Sequence, residues 1–240
     1  MATVPETIKM APRERIPPLH NGDRLTTLEF LRRYDRMTEV HNAQLIEGVV
    51  YMSSPVTHTH HGNPHFNLIG WMFSYALYTP GVEGGDNSTL RLDLGNAPQA
   101  DAYLIVRPSH GGQVRIDADG YIRGGPEVVG EVSASSVSID LTDKLAAYAR
   151  NGVREYVVWR VFDREIDWFV LRDGSFARLG LGPDGLYRSE VFPGLWLDWA
   201  ALVASDLMAV TQAVQQGVAT PEHAELVARL KQAAQSGAST

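Results

Sequence analysis

The sequence predicts an α/β (α+β) fold, on three observations. Short apolar runs such as ADAYLIV, EVVGEVS and EYVVWRV, bounded by Gly, Pro and polar residues, read as buried strands. Segments with apolar residues at helical spacing, HFNLIGWMFSYALY and LTDKLAAYARN, fall between them. Two further helical patterns close the chain. With 240 residues, 44% hydrophobic and 20% charged, the chain suits one domain with appendages and can bury a real core.

Residues 1–24 are Pro-rich and weakly patterned, which predicts a mobile arm or a strap along the surface. Residues 25–203 carry the main domain and 204–240 a C-terminal helical appendage. Thr26 or Thr27 caps a short helix, LEFLRRYDRM, with Leu28, Phe30, Leu31 and Tyr34 on its apolar stripes. QLIEGVVYM reads as two strands meeting at Gly48. The helix HFNLIGWMFSYALY has so broad an apolar stripe that it predicts a mostly buried element, stopped by Pro80-Gly81. STLRLDL and ADAYLIV are the next strands, and GQVRIDADGYIRG is a hairpin around Asp119-Gly120. EVVGEVS follows, then a helix with Asp140 as its cap and Gly152 as its stop. EYVVWRV, EIDWFVL and SFARLGL form a meander with Asp173-Gly174 as a tight turn. In the appendage, Thr220 caps the last helix and Pro221 takes its first position. Trp159, Trp168, Trp196 and Trp199 lie in strand patterns or beside the sheet and read as core rather than as stacking platforms.

The formal net charge of −7 argues against a histone-like grip on nucleic acid, which needs clustered cations. It leaves a nucleic-acid enzyme open, because a metal ion supplies positive charge at a cleft. Cysteine is absent, so neither a disulfide framework nor a thiolate metal site is expected. With no signal-peptide pattern and no membrane-length apolar run, the expected location is the cytoplasm.

Asp101 opens the strand DAYLIV, and Glu131 lies near the end of EVVGEV. An unpaired buried carboxylate costs several kcal/mol, so each needs a partner or a metal. Two acids from neighbouring strands make a site for a hard cation such as Mg2+ (Mn2+ substituting), with the Val132 backbone carbonyl completing the protein's share. Lys144, in the first turn of the next helix, points an ammonium back toward the strand ends, where it orients a water and steadies phosphate charge. Spacing alone leaves a structural alternative open: Asp101 capping a turn, Glu131 paired with Arg154 or Arg91, and Lys144 solvated.

Several stretches, in order, carry a resemblance: LIEGVVYMSSP, GDNSTLRLDLGNAPQAD, GEVSASS, DKLAAYARNGVREYVVW and VFPGLWLD. Over roughly Leu25 to Leu202 the chain resembles the Uma-two family of restriction endonuclease-like proteins, a branch of the PD-(D/E)XK nuclease superfamily. The resemblance implies a restriction-endonuclease-like core: a central mixed β-sheet flanked by helices, with the active site at its open edge. It places the two motif acids on Asp101 and Glu131. Ser133 stands where the superfamily has its usual lysine, and Lys144 on the following helix replaces it. It also implies Mg2+-dependent hydrolysis of DNA, and a homodimer suits two cuts. Ala100 replaces the family's proline before the first acid, and Gln44 replaces a glutamate before the Leu45-Ile46 pair. Gln44, nearby Glu47 and His61 are peripheral candidates.

Two other readings stand beside this one. His58, His60, His61 and His65 in HTHHGNPH invite a zinc hydrolase, with His61 and His65 four residues apart on a helix face. Alternatively these histidines line a helix start near the nuclease cleft. The third reading is a fold whose catalysis has decayed, with Gln44 as the mark, acting as a binding or assembly module.

Overall fold

The computed structural model describes residues 16–40, 42–53 and 55–237. In chain order the elements are α1 (Thr27–Tyr34), β1 (Ala43–Ile46), β2 (Val49–Met52), α2 (Asn63–Tyr78), β3 (Val82–Arg91) and β4 (Gln99–Val106). Next come β5 (Arg115–Ile116), β6 (Ile122–Arg123), β7 (Val128–Ser133), α3 (Val137–Asp140), α4 (Asp143–Arg150) and β8 (Glu155–Arg160). The chain closes with β9 (Glu165–Arg172), β10 (Ser175–Arg178), β11 (Leu186–Arg188), β12 (Trp196–Asp198), α5 (Trp199–Val203), α6 (Leu207–Val218) and α7 (Pro221–Gly237).

An eight-stranded sheet runs in the order β10-β9-β8-β7-β4-β3-β6-β5. It is mixed: β7 pairs β8 in parallel and β3 pairs β6 in parallel, while the other neighbours are antiparallel. Each face carries its own core. One face packs Leu68, Trp71, Met72 and Tyr75 of α2 with Val210 and Val214 of α6 and Leu226 and Leu230 of α7. The other face packs Tyr148 of α4 on Tyr103, Val129, Tyr156, Val158 and Phe169. Each fully buried side chain of this size contributes about 1.5–3 kcal/mol. Gly130 permits the close seat of α2, since a Cβ there would lie 2.9 Å from the Met72 tip and 3.1 Å from Leu68.

A smaller core joins Leu19, Phe30, Leu31, Leu45 and Val50 under the β1–β2 hairpin. The hairpin turns on Glu47 and Gly48, both at positive φ (48° and 74°), the backbone that suits the twist of paired strands. The predicted arm 1–24 has its end tied down: Leu19 is buried and Gly22 N–H donates to the Val50 carbonyl, while residues 1–15 lie outside the described residues. The Asp173-Gly174 turn and the Asp119-Gly120 hairpin form as expected.

Three expectations need correction. Helix α2 buries only one side; Phe66, Phe73 and Leu77 are 66%, 60% and 62% exposed. Its stripe is wider than the sheet can cover. Leu28 likewise faces solvent while Phe30 and Leu31 are buried. Asp140 does not cap the helix that follows; it ends α3, and its buried carboxylate turns inward. Strands β11 and β12 form a separate antiparallel ribbon. Trp159 and Trp168 are core, as read from the sequence. No helix among the described residues is long and apolar enough to cross a membrane.

Candidate active site

Strands β4 and β7 are antiparallel neighbours, with Ala102 opposite Gly130. That register brings Asp101 and Glu131 level, one residue further along each strand. Side chains alternate between faces, so Asp101 shares a face with Tyr103, and Glu131 shares it with Val129. Both belong to the face that α4 covers. The β4–β7 ladder stops at Ala102–Gly130, and the gap beyond is filled by side-chain chemistry. Val132 N–H donates to Asp101 Oδ2 at 2.7 Å. The Ser133 carbonyl turns the opposite way, accepting from Val161 N–H. Within a strand, one residue's N–H and C=O point to the same side, so the Val132 carbonyl faces the same gap as Asp101.

Helix α4 closes the site from above. Lys144 Nζ lies 3.0 Å from Glu131 Oε2 and 3.2 Å from Asp140 Oδ1, and its side chain is only 5% exposed. Tyr148, one turn later, donates its hydroxyl to Glu131 Oε1 at 2.8 Å. Ser136 Oγ donates to Asp140 Oδ2 at 2.5 Å. Asp140 Oδ1 is buried and has no hydrogen bond among the described residues, while Lys144 approaches it at ion-pair distance.

The electrostatics follow from three carboxylates around one ammonium. Burial pushes the Glu131 carboxyl up to about 8; Lys144 pulls it down, but Asp101 and Asp140 push it up again. Burial opposes charge on Lys144, yet Asp140, Glu131 and Asp101 together hold its ammonium firmly protonated, above the usual lysine range. Tyr148 is held protonated by burial and by Glu131. The cluster carries more negative charge than its own residues neutralise, which is the condition a divalent cation relieves. Its donors are hard oxygens: Asp101 Oδ1, the Glu131 carboxylate and the Val132 carbonyl. Among the described residues no three His, Asp or Glu side chains form a ready cage. The set therefore fits Mg2+, which takes few protein oxygens and keeps several waters.

The family pattern described as "Uma2: Putative restriction endonuclease" matches residues 28–200. The chain belongs to the Uma2 family. Comparison with curated proteins finds no match. Among solved structures, the chain is similar to "a putative nuclease belonging to DUF820" from Anabaena variabilis. The TM-score is 0.52 and the identity 11%, over 77% of this chain and 98% of that one, a likeness of fold.

Within this Uma2 chain, the peripheral residues divide. Gln44 Oε1 accepts from Gln99 N–H at 3.3 Å, two residues before Asp101, at the mouth of the site. Glu47 does not join it. It sits in the hairpin turn, beyond the strand, and its carboxylate pairs with Arg150 and accepts from Asn96. His61 does approach: its Nε2 lies 3.8 Å from Asp101 Oδ1. His65 Nε2 donates to the Asp101 carbonyl at 2.7 Å, and the two imidazoles stack with centroids 5.3 Å apart. His58 and His60 are exposed, and His60 rests on Phe162. The four histidines do not converge on one point; two of them buttress Asp101. The structural alternatives fall away as well, for Arg154 bonds Gln113 and Arg91 pairs with Asp117.

Asp140 and Tyr148 are the residues that sequence reasoning missed as members of the site. A signal was present: Asp140, Lys144 and Tyr148 recur at intervals of four, the spacing that stacks side chains on one helix face. Assigning Asp140 to a cap hid it.

Proposed function

We propose that this chain is a divalent-metal-dependent nuclease that hydrolyses DNA phosphodiester bonds. The observation that carries this reading is the acid-rich gap between β4 and β7, where Asp101 and Glu131 stand level under a buried lysine. Asp101, Glu131 and the Val132 carbonyl would hold Mg2+, with Mn2+ as a substitute. When bound, the ion supplies an activated water and neutralises charge developing on the phosphate.

The remaining chemistry belongs to the chain's own groups. Lys144 stays an ammonium and so orients and stabilises rather than abstracts a proton. Its Nζ pairs with Glu131 and Asp140, and an N–H not committed to them would be directed at a water or a phosphate oxygen. Tyr148 fixes the Glu131 rotamer, Ser136 fixes Asp140, and His65 holds the start of β4. Cutting both strands of a duplex calls for two such sites, which a homodimer would provide.

The test is nicking of supercoiled plasmid with Mg2+ or Mn2+ against chelator. Wild type should nick only with metal, and Asp101→Asn and Glu131→Gln should lose about 10²–10³-fold in rate. Equal background from all three proteins would overturn the assignment.

A further inference from the structure

Beside the site lies an open cleft of about 330 Å³ on the same stretch of sheet. Tyr34, Tyr103 and Tyr121 line it, with Asn87, Thr89 and Asp119. Its position is set by strand register. Asp86 pairs with Ala102 and Ser88 with Ala100, so Asn87 stands level with Asp101 on the adjoining strand. Tyr103 is two residues beyond Asp101 and therefore shares its face. The cleft thus begins where the candidate metal site ends.

Two features of its lining go unused by the fold, and a third, Tyr121, is held in place by it. Asn87 holds a left-handed backbone, φ 45°, inside a strand, a conformation that costs energy and gathers at functional positions. Its amide nitrogen donates to Asp86, while its side-chain oxygen accepts from no group among the described residues. The Thr89 hydroxyl, on a residue only 7% exposed, makes no side-chain hydrogen bond among the described residues. Tyr121 carries the Arg91 guanidinium 3.9 Å from its ring centre, so the ring is braced from one side. Aromatic walls with an unspent amide oxygen and hydroxyl are the chemistry that binds a heteroaromatic ring with a polar edge.

We infer that this cleft receives a nucleobase of the strand being cut, unstacked from its neighbours. The base stacks against tyrosine, and Asn87 and Thr89 read its hydrogen-bonding edge. The inference rests on the nuclease reading, since it places the base beside the phosphate bound at Asp101 and Glu131. It deepens that reading by naming the substrate form: a single-stranded or locally opened segment. A protein with a net charge of −7 gains affinity this way, because stacking does not depend on neutralising phosphates.

The test uses a short single strand carrying one 2-aminopurine, whose fluorescence falls when the base stacks. Full-length protein is titrated without divalent metal, so nothing is cut, and anisotropy reports binding separately. Wild type should give saturable quenching. Tyr121→Ala should abolish it, and Asn87→Gly and Thr89→Val should each weaken binding at least about fivefold. Asn87→Gly suits the left-handed backbone, so it removes the amide without endangering the fold, and a thermal melt checks each variant. Binding without quenching, or quenching retained in all three variants, would overturn the cleft. No binding at all would also overturn it. Plasmid nicking by wild type, run in parallel, then separates the two ideas: nicking without cleft binding spares the nuclease reading, and neither observed sinks both.

Discussion

Glu131 and Asp167 sit in one row of the central sheet, with Val158 between them. Both are buried carboxylates on the same face, 2% and 3% exposed. Their surroundings differ in sign. Asp167 accepts from Arg160 and Arg178, so two guanidiniums answer one acid. Arg160 also pairs with Asp163 and Glu165 at the rim, where water shares the load. Glu131 instead shares a single lysine with Asp140, and Asp101 stands beside it. A buried acid with its charge answered is structure. A buried group of acids short of positive charge is a site that stores an electrostatic deficit, and a bound cation offsets that deficit.

The sharpest way to break this contrast is to neutralise each acid in turn. Glu131→Gln should reduce metal-dependent nicking by about 10²–10³-fold. Asp167→Asn should leave the nicking rate per folded molecule within about threefold, with its cost appearing in denaturant unfolding instead. Equal rate losses would erase the distinction between the two regions.

The cations should differ as well. Lys144→Met strips the ammonium from three acids and should cost about 3–5 kcal/mol in urea unfolding without metal. Added Mn2+ should recover part of that loss. Arg178→Ala, at a side chain 67% exposed, should shift the midpoint little because Arg160 remains on Asp167.

The pH dependence of stability sharpens the comparison further. Burial raises the Glu131 carboxyl from 4.5 to about 8, so the folded state holds that proton more tightly than the unfolded chain does. The resulting stability is complete below about pH 4.5 and is lost as pH rises through about 8. Unfolding midpoints of metal-free protein should therefore fall over that interval. Glu131→Gln should flatten the fall, leaving the share of Glu155, which burial pushes up to about 7. Divalent metal should raise the midpoint most at the alkaline end, because it competes with the proton. A wild-type curve unchanged by Glu131→Gln would show that the deficit lies elsewhere. The smallest effect belongs to Ser136→Ala, which removes one hydrogen bond from Asp140 and should cost about 1–2 kcal/mol, read as a lowered melting temperature.

Much of the fold was legible in the chain because its signals are local. Alternation and apolar runs marked β4, β7, β8 and β9; Asp173-Gly174 marked a turn; Pro221 marked a helix start. Asp101, Glu131 and Lys144 stood out because each is a charge in an apolar setting, and the fold brings Glu131 and Lys144 into contact and sets Asp101 level with Glu131. What stayed hidden depended on partners distant in sequence. The Phe66, Phe73 and Leu77 side of α2 looked buried because a stripe shows amphipathicity but not how wide the facing sheet is. Asp140 looked like a cap because Asp before a helix ordinarily is one. His61 and His65 looked like zinc ligands because spacing cannot show that β4 runs beneath them.

By itself, then, the amino-acid sequence determined the family, the class of fold and which charged side chains had to be explained, since burial of a charge is costly wherever the chain goes. The tertiary structure alone decided which acids share one lysine, that Val132 turns its carbonyl into the same gap, and that a tyrosine-lined cleft opens beside it. Those facts depend on strand register, and register is set by the packing of the whole sheet rather than by any short stretch of residues.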